Sequence, residues 1–180
     1  MMKIFLKKIR VLLANRSFSS KRNYLIKRGC KIGKGTRLIC SVESIGTEPY
    51  LVTIGENCLF SSEIMLCTHD GGVKVLNTLG YFPQRHDKIG CVKIGNNCFL
   101  GHRVIVLPNV SIGDNCIIGS GAIVTRDIPA NTVCAGIPAK VICTIDDYYK
   151  KNIDRFFPTP TLSPEAKQKY LVNKLIKNVE

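Results

Sequence analysis

Three histidines, His69, His86 and His102, carry the imidazoles of this chain. Imidazole is the side chain that ordinarily changes charge near neutral pH. Each can in principle take the proton of an attacking hydroxyl, so each is a candidate general base. His69 stands in Leu66-Cys67-Thr68-His69-Asp70, His86 in Phe82-Pro83-Gln84-Arg85-His86-Asp87, and His102 in Gly101-His102-Arg103. The three lack the close paired spacing of a shared metal site. The nine cysteines include no C-x-x-C pair. Neither pattern points to zinc, and no metal is expected. The cysteines are spread through the chain rather than framed as a secreted disulfide scaffold. They read as reduced residues of a protein in a reducing cytoplasm.

The elements that must position these groups follow from a six-residue period. Ile94, Leu100, Val106, Ile112, Ile118 and Val124 are aliphatic at that spacing. Four residues after each stands a small or aliphatic side chain: Cys98, Val104, Val110, Cys116, Ala122 and Ile128. No α-helix keeps such a period on one face. A fixed short period marks a solenoid, and a six-residue one marks a parallel β-helix. Each unit reads as a short strand and a bend, with its first and fifth residues pointing inward. Three units close a triangular coil, and coils stack about 4.8 Å apart. The pairs Glu56-Asn57, Asn96-Asn97 and Asp114-Asn115 fit the corners, because Asn tolerates left-handed backbone. Cys98, Cys116 and Cys134 should form one inward column of small hydrophobes.

An earlier stretch obeys the same rule. Ile54, Phe60 and Leu66 take the first positions, with Cys58, Ile64 and Asp70 at the fifth. Ile32 and Leu38 open the pattern less regularly. The step from Leu66 to Ile94 is not a multiple of six, so an insertion leaves the helix near Gly71 and returns by about Val92. Gly71-Gly72, Gly80, Pro83 and Gly90 make it an excursion loop. Loops of that length in compact domains are usually functional.

Charge is placed unevenly. The chain carries +13, yet residues 29–147 balance ten Lys/Arg against ten Asp/Glu. Residues 1–28 hold nine Lys/Arg and no acid. MMKIFLKKIRVLLANR reads as a short amphipathic helix with Phe5, Ile9, Leu12 and Leu13 on one face. Packing on the open end of the solenoid is one reading. Peripheral contact with an anionic membrane, at its inner face, is the other. Nucleic acid is not expected, since no stacking platform or groove-reading motif accompanies the charge. No apolar run approaches the length of a spanning helix. The expected organisation is a basic helical extension over 1–28, a β-helix domain over 29–144 with its loop at about 71–92, and a partly helical tail over 145–180. In the tail, the segment after Pro164 reads as a helix, with Tyr170, Leu171, Leu175 and Ile176 in an apolar stripe.

IGNNCFLGHRVIVLPNVSIGDNCIIGSGAIVTRDIPANTVCAGIPAKVI resembles the terminal coils of hexapeptide-repeat acyltransferases. The match covers about residues 92–142 and, with the earlier coils, about 30–142. The close VTRDIPANTVCAGIPAKVI resembles the O-acetyltransferases of galactoside, maltose and sugar-polymer type. The resemblance implies an all-β solenoid that is a left-handed parallel β-helix, usually a homotrimer. It also implies acetyl-coenzyme A lying between subunits and an acetyl group transferred to a hydroxyl. A sugar in capsule, lipopolysaccharide or exopolysaccharide synthesis is the expected acceptor.

The same resemblance implies site residues. His69, at the end of a coil just before the loop, matches the family's catalytic base. Gly101, His102 and Ser120 fall on the coenzyme trench. The backbone N–H groups of Gly101 and Ser120 would hold the pantetheine arm or the oxyanion. Thr125, Arg126 and Lys140 match residues near the adenine and phosphates, where cations suit the anions. His102, Arg126 and Lys140 also read as solvated surface residues. Asp70 and His86 are candidates for the acceptor pocket, with a solvated loop residue the other reading of His86. Family members place an Asn on the coil before the base. This chain has RLICSVESIGTEPY there, so Ser41, Glu43 or Ser44 would substitute. No spacing in the sequence identifies the group that orients His69. The rival enzymes are amino-sugar-nucleotide N-acetyltransferases, serine O-acetyltransferase, antibiotic acetyltransferases and a γ-type carbonic anhydrase. The non-enzyme rival is a β-helix binding or scaffold protein.

Overall fold

The computed structural model describes residues 2–176. The chain divides into two compact units, one ending at Tyr148 and one beginning at Tyr149. The first opens with α1 (Met2–Ala14) and α2 (Phe18–Lys27). Four coils follow. Coil one supplies β1 (Lys31–Ile32) and β2 (Arg37–Leu38), and two 3-10 turns (Val42–Ser44 and Pro49–Leu51) stand where its third strand would be. Coil two is β3 (Val52–Ile54), β4 (Leu59–Phe60) and β5 (Met65–Leu66). The loop then leaves as an antiparallel hairpin, β6 (His69–Asp70) against β7 (Lys88–Ile89), and carries α3 (Val73–Thr78) between them. Coil three is β8 (Val92–Ile94), β9 (Phe99–Leu100) and β10 (Ile105–Val106). Coil four is β11 (Val110–Ile112), β12 (Ile117–Ile118) and β13 (Ile123–Val124). β14 (Thr132–Ala135) continues the stack, and β15 (Lys140–Thr144) folds back on it antiparallel.

The strands sort into three faces. One holds β1, β3, β8 and β11, a second holds β2, β4, β9, β12, β14 and β15, and a third holds β5, β10 and β13. Pairing between successive coils is parallel throughout. Ile117 pairs with Phe99 and Ile123 with Ile105, so coils three and four keep the eighteen-residue register. The inward positions behave as the period requires: Leu100, Val106, Ile118 and Val124 have no exposed surface. Each such side chain contributes on the order of 1.5–3 kcal/mol by burial. Cys58, Cys98, Cys116 and Cys134 are buried and unpaired. The first three are placed to donate S–H to the carbonyls of Gly95, Gly113 and Pro129 at 3.1, 3.1 and 3.2 Å. At the next corner Asn57, Asn97, Asn115 and Asn131 all have φ between 54 and 61°. Asn97 donates to Asn115 and Asn115 to Asn131, which ties the coils along that edge.

One position departs from the pattern. Asp70, expected to point inward, lies outside the coil in β6 and pairs with Lys88 Nζ at 2.7 Å. The chain leaves the prism two residues earlier, and Thr68 turns inward instead, 1% exposed. A buried carboxylate without a partner would cost far more than a buried hydroxyl that is hydrogen-bonded.

The open end of coil one is closed by α2. Leu25 is buried there, and the buried Lys21 donates Nζ to the carbonyls of Leu38 and Ile39. Arg22 donates to the Ile32 carbonyl. Lys21 and Arg22 are thus fastened to coil one, and Arg28 also donates to it, at the Thr47 carbonyl. Ser17 caps α2 by accepting from Ser20 N–H. α4 (Ile145–Asn152) follows β15. In the second unit Ser163 caps α5 (Pro164–Leu175), and Phe157 meets Tyr170 edge-on. The expected helix reaches further, but residues 177–180 lie outside the described ones, as does Met1 of the N-terminal helix. Among the described residues no helix is long and apolar enough to cross a membrane.

Candidate functional site

β5 delivers its chain to the corner where the third face ends, and there the side chains diverge. Thr68 turns in; His69 turns out, with 37% of its side chain exposed. The ring borders a cavity of about 420 Å³ that Glu43, Gly46, Thr47, Met65 and Leu66 also line.

Two carboxylates flank the ring. Glu48 Oε1 lies 3.9 Å from Nδ1, and Asp87 Oδ1 lies 3.8 Å from Nε2. Glu48 comes from coil one, immediately before the turn that begins at Pro49. Its second oxygen accepts from Thr68 Oγ1 at 2.6 Å and Thr47 Oγ1 at 2.7 Å. Those hydroxyls, Thr68 first, hold the Glu48 carboxyl below its ordinary pKa, and the nearby His69 adds to the effect. Glu48 is therefore a fixed carboxylate aimed at one ring nitrogen. A carboxylate so placed orients an imidazole and stabilises the charge that forms when the ring takes a proton. Asp87 is exposed and belongs to the loop, so its position depends on how the loop sits. Glu48 is the carboxylate behind Nδ1 of His69, a neighbour that sequence reasoning left unnamed. It stands inside RLICSVESIGTEPY, but no periodicity connects it to His69. Of the three residues expected there, Glu43 lines the cavity. Ser41 caps the first 3-10 turn, and Ser44 is buried.

The remaining candidates do not all gather here. His86 lines a second cavity, of about 440 Å³, with Asp70, Val73, Phe82, Asp87 and Lys88. Its ring stacks on Phe82 at 4.3 Å, and its Nδ1 lies 2.7 Å from the Gln84 carbonyl. Asn77 bonds both the N–H and the carbonyl of His86. His86 thus stitches the loop together, and Asp70 joins it there rather than at His69. The Lys88 ammonium bonded to Asp70, with help from Gly72 N–H, keeps that carboxyl below its usual range.

His102 sits at the corner between the second and third faces. Its Nδ1 is 2.8 Å from Ser62 Oγ, its Nε2 is 3.7 Å from Glu63 Oε1, and its N–H donates to Ser120 Oγ. Arg103 bonds Glu63 Oε2 at 2.7 Å and holds that carboxyl low. Gly101 requires a correction. Its N–H already donates to the Ile118 carbonyl, so it is not free for a ligand. A Cβ on Gly101 would lie 2.6 Å from Ser120 N, which explains the glycine by coil stacking. Ser120 N–H finds no acceptor among the described residues, and Gly121 beside it, at φ 73°, opens on free space. Thr125, Arg126 and Lys140 are exposed. Among the described residues no His, Cys, Asp and Glu cluster is placed to hold a metal.

With this geometry in hand, comparison with known proteins is direct. Residues 91–126 match the family described as bacterial transferase hexapeptide (six repeats). The chain is 40% identical to Protein CapG of Staphylococcus aureus over 179 residues, 99% of this chain and 98% of that one. It is 36% identical to galactoside O-acetyltransferase of Escherichia coli (strain K12) over 132 residues, 69% of this chain and 61% of the relative. The solved structure of a galactoside acetyltransferase in complex with coenzyme A superposes with a TM-score of 0.55 at 22% identity, covering 79% of this chain and 80% of that one, and so shares the fold. The chain belongs to the bacterial hexapeptide-repeat transferase family and is an acyl-transfer enzyme.

Proposed function

We propose that this protein is an acetyl-coenzyme A-dependent O-acetyltransferase whose acceptor is a sugar hydroxyl in capsule or related surface-polysaccharide synthesis. The observation that carries the proposal is His69 at the edge of an open cavity, with the ordered carboxylate of Glu48 behind its Nδ1. The name of the Escherichia coli relative supports the chemistry, and the near full-length match to CapG is the support for a capsule. We read the coils as left-handed and the working enzyme as a homotrimer.

Nε2 of His69 takes the proton of the attacking hydroxyl. Glu48 keeps the ring oriented and stabilises the imidazolium. Asp87, 3.8 Å from Nε2, accepts from a neighbouring hydroxyl of the same sugar and so helps place it. The residues fit the coenzyme: Ser120 N–H has no acceptor among the described residues, and the exposed Arg126 and Lys140 suit its phosphates. We assign His102, whose backbone N–H donates to Ser120 Oγ, and the exposed Thr125 to the same coenzyme site. When bound, the coenzyme supplies an acetyl thioester.

The test is coenzyme A release measured against a panel of sugars, sugar nucleotides, amino-sugar nucleotides and serine. The expected result is turnover with a sugar hydroxyl that falls about 10² or more in His69→Ala, with coenzyme binding retained. Undiminished turnover in that variant would overturn the assignment.

A further inference from the structure

We infer that α1 is a docking surface for an anionic lipid bilayer. One side of α1 is fixed to the protein. Ala14 is buried and Val11 packs on the core. Asn15, just past the helix, donates to Ser41 Oγ and accepts from Val42 N–H. At 3.6 residues per turn this orientation turns Phe5, Leu6, Ile9, Leu12 and Leu13 together to the opposite side. All five are exposed, Leu12 by 67% and Phe5 by 64%. A stripe spaced i, i+1, i+4, i+7 and i+8 ordinarily faces a core. Here the core lies on the other side, and the stripe is left uncovered.

Charge names the occupant. Lys8 and Arg10 fall on opposite flanks of the stripe, and Arg16 follows at its end. The first acidic residue of the chain is Glu43, so no carboxylate offsets these cations along the helix. An apolar face between basic flanks matches the acyl and headgroup layers of an anionic membrane, where such a helix lies in the plane of the surface. A second copy of this chain is a poor match, because it would bring its own nine N-terminal cations to the contact.

The experiment is co-sedimentation of the full chain with vesicles of phosphatidylglycerol mixed with phosphatidylcholine, and of phosphatidylcholine alone, at low and high salt. The wild type should bind the anionic vesicles, release with salt, and bind neutral vesicles weakly. Phe5→Ser with Leu12→Ser should reduce binding on the order of 10²-fold, from the loss of two buried side chains. Lys8→Ala and Arg10→Ala should each reduce it about fivefold. Both side-chain pairs are exposed, so coenzyme A release without vesicles should be unchanged. Failure to bind anionic vesicles, or undiminished binding of Phe5→Ser with Leu12→Ser, would overturn the proposal. So would a smaller assembly of that variant in light scattering, which would mean that a second copy covers the stripe.

Discussion

Coils three and four line no part of the cavity beside His69 and keep an eighteen-residue register. Coils one and two break it, and both carboxylates beside His69 enter through the breaks. Lys31 pairs with Thr53, a step four residues longer than the regular coil. That surplus replaces a strand with two 3-10 turns and sets Glu48 behind the ring. Thr53 pairs with Lys93, and the loop that separates them brings Asp87 to the ring's other side. The lesson is physical. A solenoid with a strict period repeats the same outward surface at every coil. A site needs unlike groups converging, so it forms where the repeat is interrupted.

The two regions still share one core, and the largest expected effect tests that sharing. Phe60 of coil two and Leu100 of coil three are paired neighbours in one inward column, both with no exposed surface. Phe60→Ala should cost about 4 kcal/mol and Leu100→Ala about 3 kcal/mol, read from denaturant unfolding. If Phe60→Ala left stability unchanged while Leu100→Ala did not, the irregular coils would be a separate, loosely attached unit.

The next effect separates Glu48 from the coil that carries it. Glu48→Gln keeps the shape and removes the charge, so turnover should fall about tenfold with little change in acceptor KM. Its stability signature has a definite sign. The folded carboxyl sits below its ordinary pKa, so its contribution is present above the ordinary value of 4.5 and fades as pH falls through the lowered folded value. The wild type should therefore lose stability in acid more steeply than Glu48→Gln, in melts followed from neutral pH down through the carboxylate range. Parallel acid curves would mean that Glu48 is solvated and not held by Thr68 and Thr47.

This contrast also explains what was legible in the residues alone. The inward positions of coils two to four could be placed, Asp70 excepted, because burial follows a short period that those windows of the chain reveal. The left-handed corners were legible in Asn57, Asn97 and Asn115 for the same reason. His69 was singled out because the chain has only three imidazoles and its place at the end of a coil resembles that of the family's base. Glu48 was not, since its meeting with His69 depends on the path of two 3-10 turns that no local pattern specifies. Asp70 was placed inward by counting sixes one step past the point where the coil stops. Gly101 was read as a ligand contact, although its N–H belongs to the ladder between coils. The apolar stripe of α1 was visible, but that it faces away from the body required the contacts of Val11, Ala14 and Asn15.

The smallest effect sharpens the comparison on the loop side. Lys88 and Asp70 join β7 to β6 through one exposed ion pair. Exposed pairs add little to stability, since water already screens both charges. Lys88→Ala should therefore leave the melting temperature within experimental error. The pair does, however, lie next to Asp87 and immediately follows His69, so it sets where the loop's carboxylate hangs. Loosening it should blur the placement of the acceptor rather than the protonation of the base. The expected reading is a rise in acceptor KM of about twofold to threefold with kcat unchanged, the small size reflecting the weakness of an exposed pair. Glu48→Gln should do the reverse, lowering kcat and sparing KM. If Lys88→Ala lowered kcat as well, the loop would be holding the imidazole itself. The division between a base oriented by coil one and an acceptor placed by the loop would then fail.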